Sequence, residues 1–285
     1  MVCTSRRMSA ESAPWLVGPS ANSSIVDDGW VERAASAVSG QTSVGPDHGL
    51  LPSFSALTGP VFDPAKVDGR IADFYEHTSR WHLDLWSEWS MAAWPFGRAI
   101  TALWSQRLNQ LNLPMHPLDV SWGMDSRVVH IHDHSGAVSS SAWLRTNRET
   151  GVTIYSGQYG TVTLPGGTQP SVRVAFPLPF GCFAVLLEPA NDEHGGLHLR
   201  SPIGPFGAVG AYLILERSDR TISVRRVPIA EHFHLYIDTE GDVRTDHVVR
   251  FGRMQAARLH YRLQRSRIPD SASHPVPAGT PRLAD

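Results

Sequence analysis

The chain has 285 residues, 41% of them hydrophobic, which is enough for one large domain or two small ones around a packed core. Its 25 basic and 27 acidic side chains leave a formal net charge of −2, which argues against a dedicated nucleic-acid binder. Two cysteines, Cys3 and Cys182, are too few for a disulfide framework, and no apolar run approaches the ~18 residues of a spanning helix. Arg6 and Arg7 are not followed by the hydrophobic stretch of a secretory signal, so a reduced, cytoplasmic setting is expected.

Residues 1–49 are rich in Ser, Ala, Gly and Pro and poor in large apolar side chains. Such a composition buries too little surface to offset its ordering entropy, so this segment is expected to be mostly disordered, with a short helix around 27–38 anchored by Trp30. Residues 50–266 are expected to form a single globular domain. Its first stretch, 50–68, sets Pro52, Pro60 and Pro64 among Phe54, Leu57 and Phe62, the pattern of an extended chain pinned by aromatics.

Residues 71–113 hold five of the nine tryptophans. At about 100° per residue, Ile71, Phe74, Tyr75, Thr78, His82, Leu85, Trp86 and Trp89 share a broad face, opposite Asp73, Glu76, Arg80, Asp84 and Glu88. Pro95 stops that run. Phe96, Ile100, Leu103, Trp104, Leu108 and Leu111 then form a second stripe, ended by Pro114 and Pro117. The spacing predicts two helices of roughly 20 and 16 residues within 69–113. The polar face of the first carries Asp73, Glu76, Asp84 and Glu88 against Arg80, the wrong sign for anionic lipid heads, so the apolar stripe is expected to face protein or a ligand cavity.

From Arg127 the period changes to two. Strands are predicted at 127–133, 141–147, 152–159, 161–164, 171–177, 182–188, 197–201, 209–216, 221–227, 232–238, 243–251 and 257–264, separated by turns such as Ser135-Gly136, 191–196 and Glu240-Gly241. Cys182 reads as a small buried hydrophobe in one of them. Residues 267–285, rich in proline, are expected to be a disordered tail. The fold class is therefore α+β: an N-terminal amphipathic helix pair packed on a large antiparallel curved β-sheet or β-barrel of about ten to twelve strands, the β part spanning 127–266.

Histidine is abundant, at 14 copies, and clustered. His130, His132 and His134 alternate along one strand, as do His232 and His234 along another. A hairpin around Glu240-Gly241 with a loop of two or four residues would set His247 opposite His234, collecting His232, His234 and His247 as candidate ligands for a divalent metal. Glu240 comes too late to complete a His-x-His…Glu pattern, and alternating histidines equally describe a solvated sheet face. No G-x-S-x-G, H-E-x-x-H, C-x-x-C, Walker or EF-hand pattern is present.

The leading expectation is thus a protein without a catalytic residue or resident cofactor. It would bind a hydrophobic or amphipathic small molecule between the helix pair and the sheet, contacted by Trp86, Trp89, Trp104 and Tyr236, with His234 and His247 as polar anchors. The alternatives are a metal-dependent enzyme built on His232, His234 and His247, and a protein–protein interaction scaffold.

Overall fold

The computed structural model describes residues 5–21, 26, 28–89, 124–148, 153–219 and 221–266. In chain order the elements are β1 (Arg6–Ser9), α1 (Trp30–Ala37), β2 (Thr42–Val44), 3-10 turns at Phe54–Leu57 and Pro64–Lys66, α2 (Gly69–Glu76), a 3-10 turn at Thr78–Arg80 and β3 (Trp81–Trp89). There follow β4 (Met124–His132), β5 (Val138–Asn147), β6 (Thr153–Thr163), β7 (Pro170–Leu178), β8 (Gly181–Asn191), β9 (Leu197–Ser201) and β10 (Gly210–Glu216). The last four are β11 (Thr221–Val227), β12 (Ile229–Ile237), β13 (Val243–Phe251) and β14 (Met254–Arg265).

Among the described residues all strand pairs are antiparallel, in the order β2-β4-β5-β6-β7-β8-β9-β12-β13-β14-β3. The sheet forks at β8, whose residues 181–186 pair with β10 and whose residues 188–191 pair with β9; the β10 branch continues through β11 to β1. One apolar cluster takes Trp81 from β3, Val128 from β4, Trp143 from β5 and inward residues of β7, β8, β9, β12, β13 and β14. A cluster that draws on both ends of the strand order requires the sheet to curl around it. Among the described residues, however, β3 pairs only with β14 and β2 only with β4, so the curl is not closed into a barrel.

The lower part of the concavity is filled by the segment that precedes β3. Leu50, Leu51, Phe54, Leu57, Phe62, Ile71, Phe74 and Tyr75 all join the central cluster. Local chemistry shapes this plug: the Ser53 and Asp68 side chains accept backbone N–H groups at the starts of the 3-10 turn and α2, and Asp63 does the same before Pro64. Gly49 lies so close to the end of α2 that a methyl group there would overlap the carbonyls of Tyr75 and Glu76. On the convex side, α1 covers β4 and β5 through Trp30, Val31 and Ala35, and Trp30 Nε1 donates to Ser156 Oγ at 2.8 Å.

The expected helix pair does not form. Helix ends at Glu76, and Trp81–Trp89 is a strand paired along its length with residues 257–265 of β14. The sequence satisfies both templates there, because Trp81, Leu83 and Leu85 also alternate with His82, Asp84 and Trp86. A nine-residue ladder with β14 decides for the strand, an override of local pattern by long-range pairing. The second predicted helix, with Trp104, lies outside the described residues, as does the tail 267–285. The segment expected to be disordered, 1–49, carries β1, α1 and β2 among its described residues, with Trp15, Leu16 and Trp30 buried. Downstream the predicted strands agree closely with β4–β14, except that 152–159 and 161–164 are one strand, β6. No helix among the described residues is long and apolar enough to cross a membrane.

Candidate functional site

Three hairpins share one turn chemistry. In Asp133–Ala137, Asp192–Gly196 and Asp238–Asp242 the leading aspartate exchanges backbone bonds with the residues three and four positions on, and Gly136, Gly195 and Gly241 adopt φ of +85°, +80° and +86°. Only glycine enters that region at no steric cost. Each aspartate Oδ1 accepts a backbone N–H two residues ahead, from Ser135, His194 and Glu240. The spacing Asp-x-x-Gly is therefore a turn signal, and it fixes a five-residue connection in all three hairpins.

That loop length decides where the histidines point. With Ile237 paired to Val243, His234 faces Asp246, and His247 faces Phe233. A loop of two or four residues would have paired His234 with His247; five residues shift the register by one and turn His247 to the other face. His232, His234 and Tyr236 consequently lie on the convex face, whereas His247 lies on the concave face, its ring stacked on Phe233 at 3.7 Å between centroids. The proposed trio His232, His234 and His247 is not brought together.

The other expected contacts also separate. Trp86 is 47% exposed on the outer face of β3, Trp89 ends that strand opposite Ala257, and Trp104 lies outside the described residues. Tyr236 sits beside His234 at 5.0 Å between ring centroids. Of the four expected contacts whose side chains are described, Trp86, His234, Tyr236 and His247, only His247 is placed in the concavity.

Two polar clusters take their place. On the concave face, beyond the apolar plug, Arg145 is only 4% exposed and His247 8%. His247 Nε2 lies 3.0 Å from Glu231 Oε2, and its Nδ1 lies 3.4 Å from the Tyr261 hydroxyl. The hydroxyls of Tyr155 and Tyr159 are 2.7 Å apart. Burial pushes the Tyr155, Tyr159 and Tyr261 phenols above their ordinary range, and burial pushes the Arg145 guanidinium down while these tyrosines oppose that shift. Tyr261 on β14 and Tyr159 on β6 interact electrostatically with each other, with Arg145 and with Glu231. Strands far apart in the order thus meet across the curl.

On the convex face, His198 of β9 and His232 and His234 of β12 form a second cluster with Asp192, the first residue of the β8–β9 turn. Asp192 Oδ2 is 2.7 Å from His234 Nε2 and 3.8 Å from His198 Nε2. His232 Nε2 is 3.0 Å from His198 Nδ1, and the His198 and His234 rings stack at 4.3 Å. The backbone N–H of His194 on its carboxylate holds Asp192 low, helped by His234, while burial, then His234 and Arg200, press His198 down to about 4. Sequence reasoning missed His198 and Asp192. The register of β9 against β12 brings in the first, and the Asp-x-x-Gly turn signal at 192–195 could have revealed the second.

A third group is structural. His48 stacks on His130 at 3.8 Å, and His130 Nε2 bonds the Gly49 carbonyl; burial, then His48, lower His130 to about 4. Cys182 is buried against Leu16, Ala184 and Ile214, where burial raises its thiol to about 12, so it is an inert apolar filler. A shallow cleft of about 470 Å³ beside Arg70, Trp81 and Gly241 includes no member of either polar cluster. No protein-family model, curated protein or solved structure matches the chain.

Proposed function

We propose that the concave face of the sheet binds a small amphipathic molecule without covalent chemistry, its polar end held by Arg145, the Glu231–His247 pair and the hydroxyls of Tyr155, Tyr159 and Tyr261. One observation carries this. Six polar side chains from five strands converge in a layer that is otherwise filled by Val, Leu, Phe and Trp. Burying a guanidinium and a carboxylate there is less favourable than an apolar filling of the same volume, and such groups concentrate where ligands are held.

The donor set suits a polar head. Arg145 offers planar N–H donors, the phenols donate and accept, and Glu231–His247 adds a paired acceptor and donor. Trp143 and Phe233 border the group and supply apolar contact for the rest of the ligand. Native mass spectrometry of the full chain purified from its own host tests the reading. The wild type is expected to retain a small molecule that an Arg145→Leu variant of equal stability loses. A wild type that carries nothing, or a variant that carries the same adduct, defeats it.

A further inference from the structure

On the convex face, we infer that Asp192, His198 and His234 form a binding site for a divalent first-row transition-metal ion, with His232 orienting His198. The ligand atoms of the three residues all lie within 4.8 Å of one another. A tetrahedral ion with ligands at ~2.0–2.1 Å separates neighbouring ligand atoms by about 3.3 Å. The contacts of 2.7 Å and 3.8 Å from Asp192 Oδ2 to the two Nε2 atoms straddle that spacing. An ion entering would replace the direct Asp192–His234 bond at the expense of sub-ångström side-chain movement.

Two of the three ligands, Asp192 and His198, are aimed from behind. Asp192 Oδ1 is engaged by the His194 N–H at 2.6 Å, which leaves Oδ2 to face the imidazoles. His198 directs Nε2 toward Asp192, while its Nδ1 contacts His232 Nε2 at 3.0 Å. That contact orients the His198 ring, and with an ion on Nε2 the Nδ1–H would donate to His232 Nε2, as the partners of metal-bound histidines commonly accept. The ligands come from a glycine-closed turn and two paired strands, with His198 and His234 directly opposite in the ladder, so the backbone holds them in place. Side-chain exposures of 17%, 14% and 31% for His198, Asp192 and His234 leave the site reachable from solvent.

The cationic groups bearing on the cluster are Arg200 of β9, which acts on His198 and His232, and Arg250 of β13, which acts on His232; Glu188 of β8 is the ladder partner of Arg200. Two imidazoles and one carboxylate favour zinc, iron(II), cobalt or nickel over magnesium and calcium, which prefer all-oxygen sites. Three protein ligands also leave room for water or a further ligand on the ion.

Isothermal titration of the full-length chain, stripped with chelator, using zinc chloride alone reads the site. One equivalent is expected to bind, with His198→Ala, His234→Ala and Asp192→Asn each weakening it 100-fold or more. His232→Gln should weaken it by about 10- to 100-fold, and His260→Gln, on the same face but outside the cluster, should leave it unchanged. Imidazole NMR of the wild type provides a readout that depends on no variant's folding: zinc must shift the rings of His198 and His234. Absence of stoichiometric zinc binding, unshifted His198 and His234 rings, or folded variants with wild-type affinity would overturn the inference.

Discussion

The two faces of β12 differ in chemistry one residue apart. Glu231, Phe233, Leu235 and Ile237 face the concavity, where Leu235 is buried in the central cluster; His232, His234 and Tyr236 face outward among half-exposed polar groups. The inner face holds its polar groups by exclusion of water, so each lost partner there is felt in stability. The outer face keeps solvent access, so its histidines are available to an added ligand while contributing little to the fold. A single strand therefore carries two sites whose disruption should have different consequences.

Neighbouring substitutions on β12 provide the strongest contrast. Leu235→Ala should lower unfolding free energy by about 2–5 kcal/mol through the cavity it leaves, whereas Tyr236→Ala should cost less than about 1.5 kcal/mol; urea denaturation of both settles the order. Next is the inner Glu231–His247 pair. Glu231→Ala should cost about 1.5–3 kcal/mol by stranding a buried partner, and adding His247→Phe should recover part of that loss in a double-mutant cycle. An additive result would show the pair uncoupled.

Acid acts on both faces, since burial lowers His130 at the inner edge and His198 on the outer face alike. Folded His130 titrates near 4, against an ordinary value of 6.5. Between those values the unfolded chain binds the extra proton, so the contribution of His130 is fully present above pH 6.5 and is lost as the pH falls toward 4. Thermal unfolding across pH 4–7 should be less pH-dependent in His130→Gln than in the wild type; an unchanged slope would assign the dependence to other groups. The smallest effect belongs to the outer ion pairs. Arg258→Ala, which removes a partly exposed bridge to Asp246 at 3.1 Å, should shift stability by about 0.2–1 kcal/mol in low salt and less in high salt.

Much of the β architecture was legible because a half-buried strand writes its period into the sequence. β9, β11 and β13 coincide with the predicted spans, and the turns between them were visible as Gly, Asp and Ser clusters. The stretch from Trp81 to Trp89 was misread because its apolar residues fit both a helical stripe and an alternating strand. Trp15 and Leu16 were missed for a different reason: isolated apolar residues in a polar segment carry no period, yet they pack under Tyr212 and Ile222. The pairing of His198 with His234 crosses a connection of more than thirty residues and leaves no local signature.

By itself, then, the sequence determined the strands from β4 onward, their alternation and the histidine-rich character of β12, since these follow from side-chain period and turn chemistry within a few residues. Tertiary structure alone decided which histidines meet. The five-residue Asp-x-x-Gly connection sets the register, a shift of one residue exchanges the faces of a strand, and so His247 joins Glu231 inside while His198 and Asp192 join His234 outside.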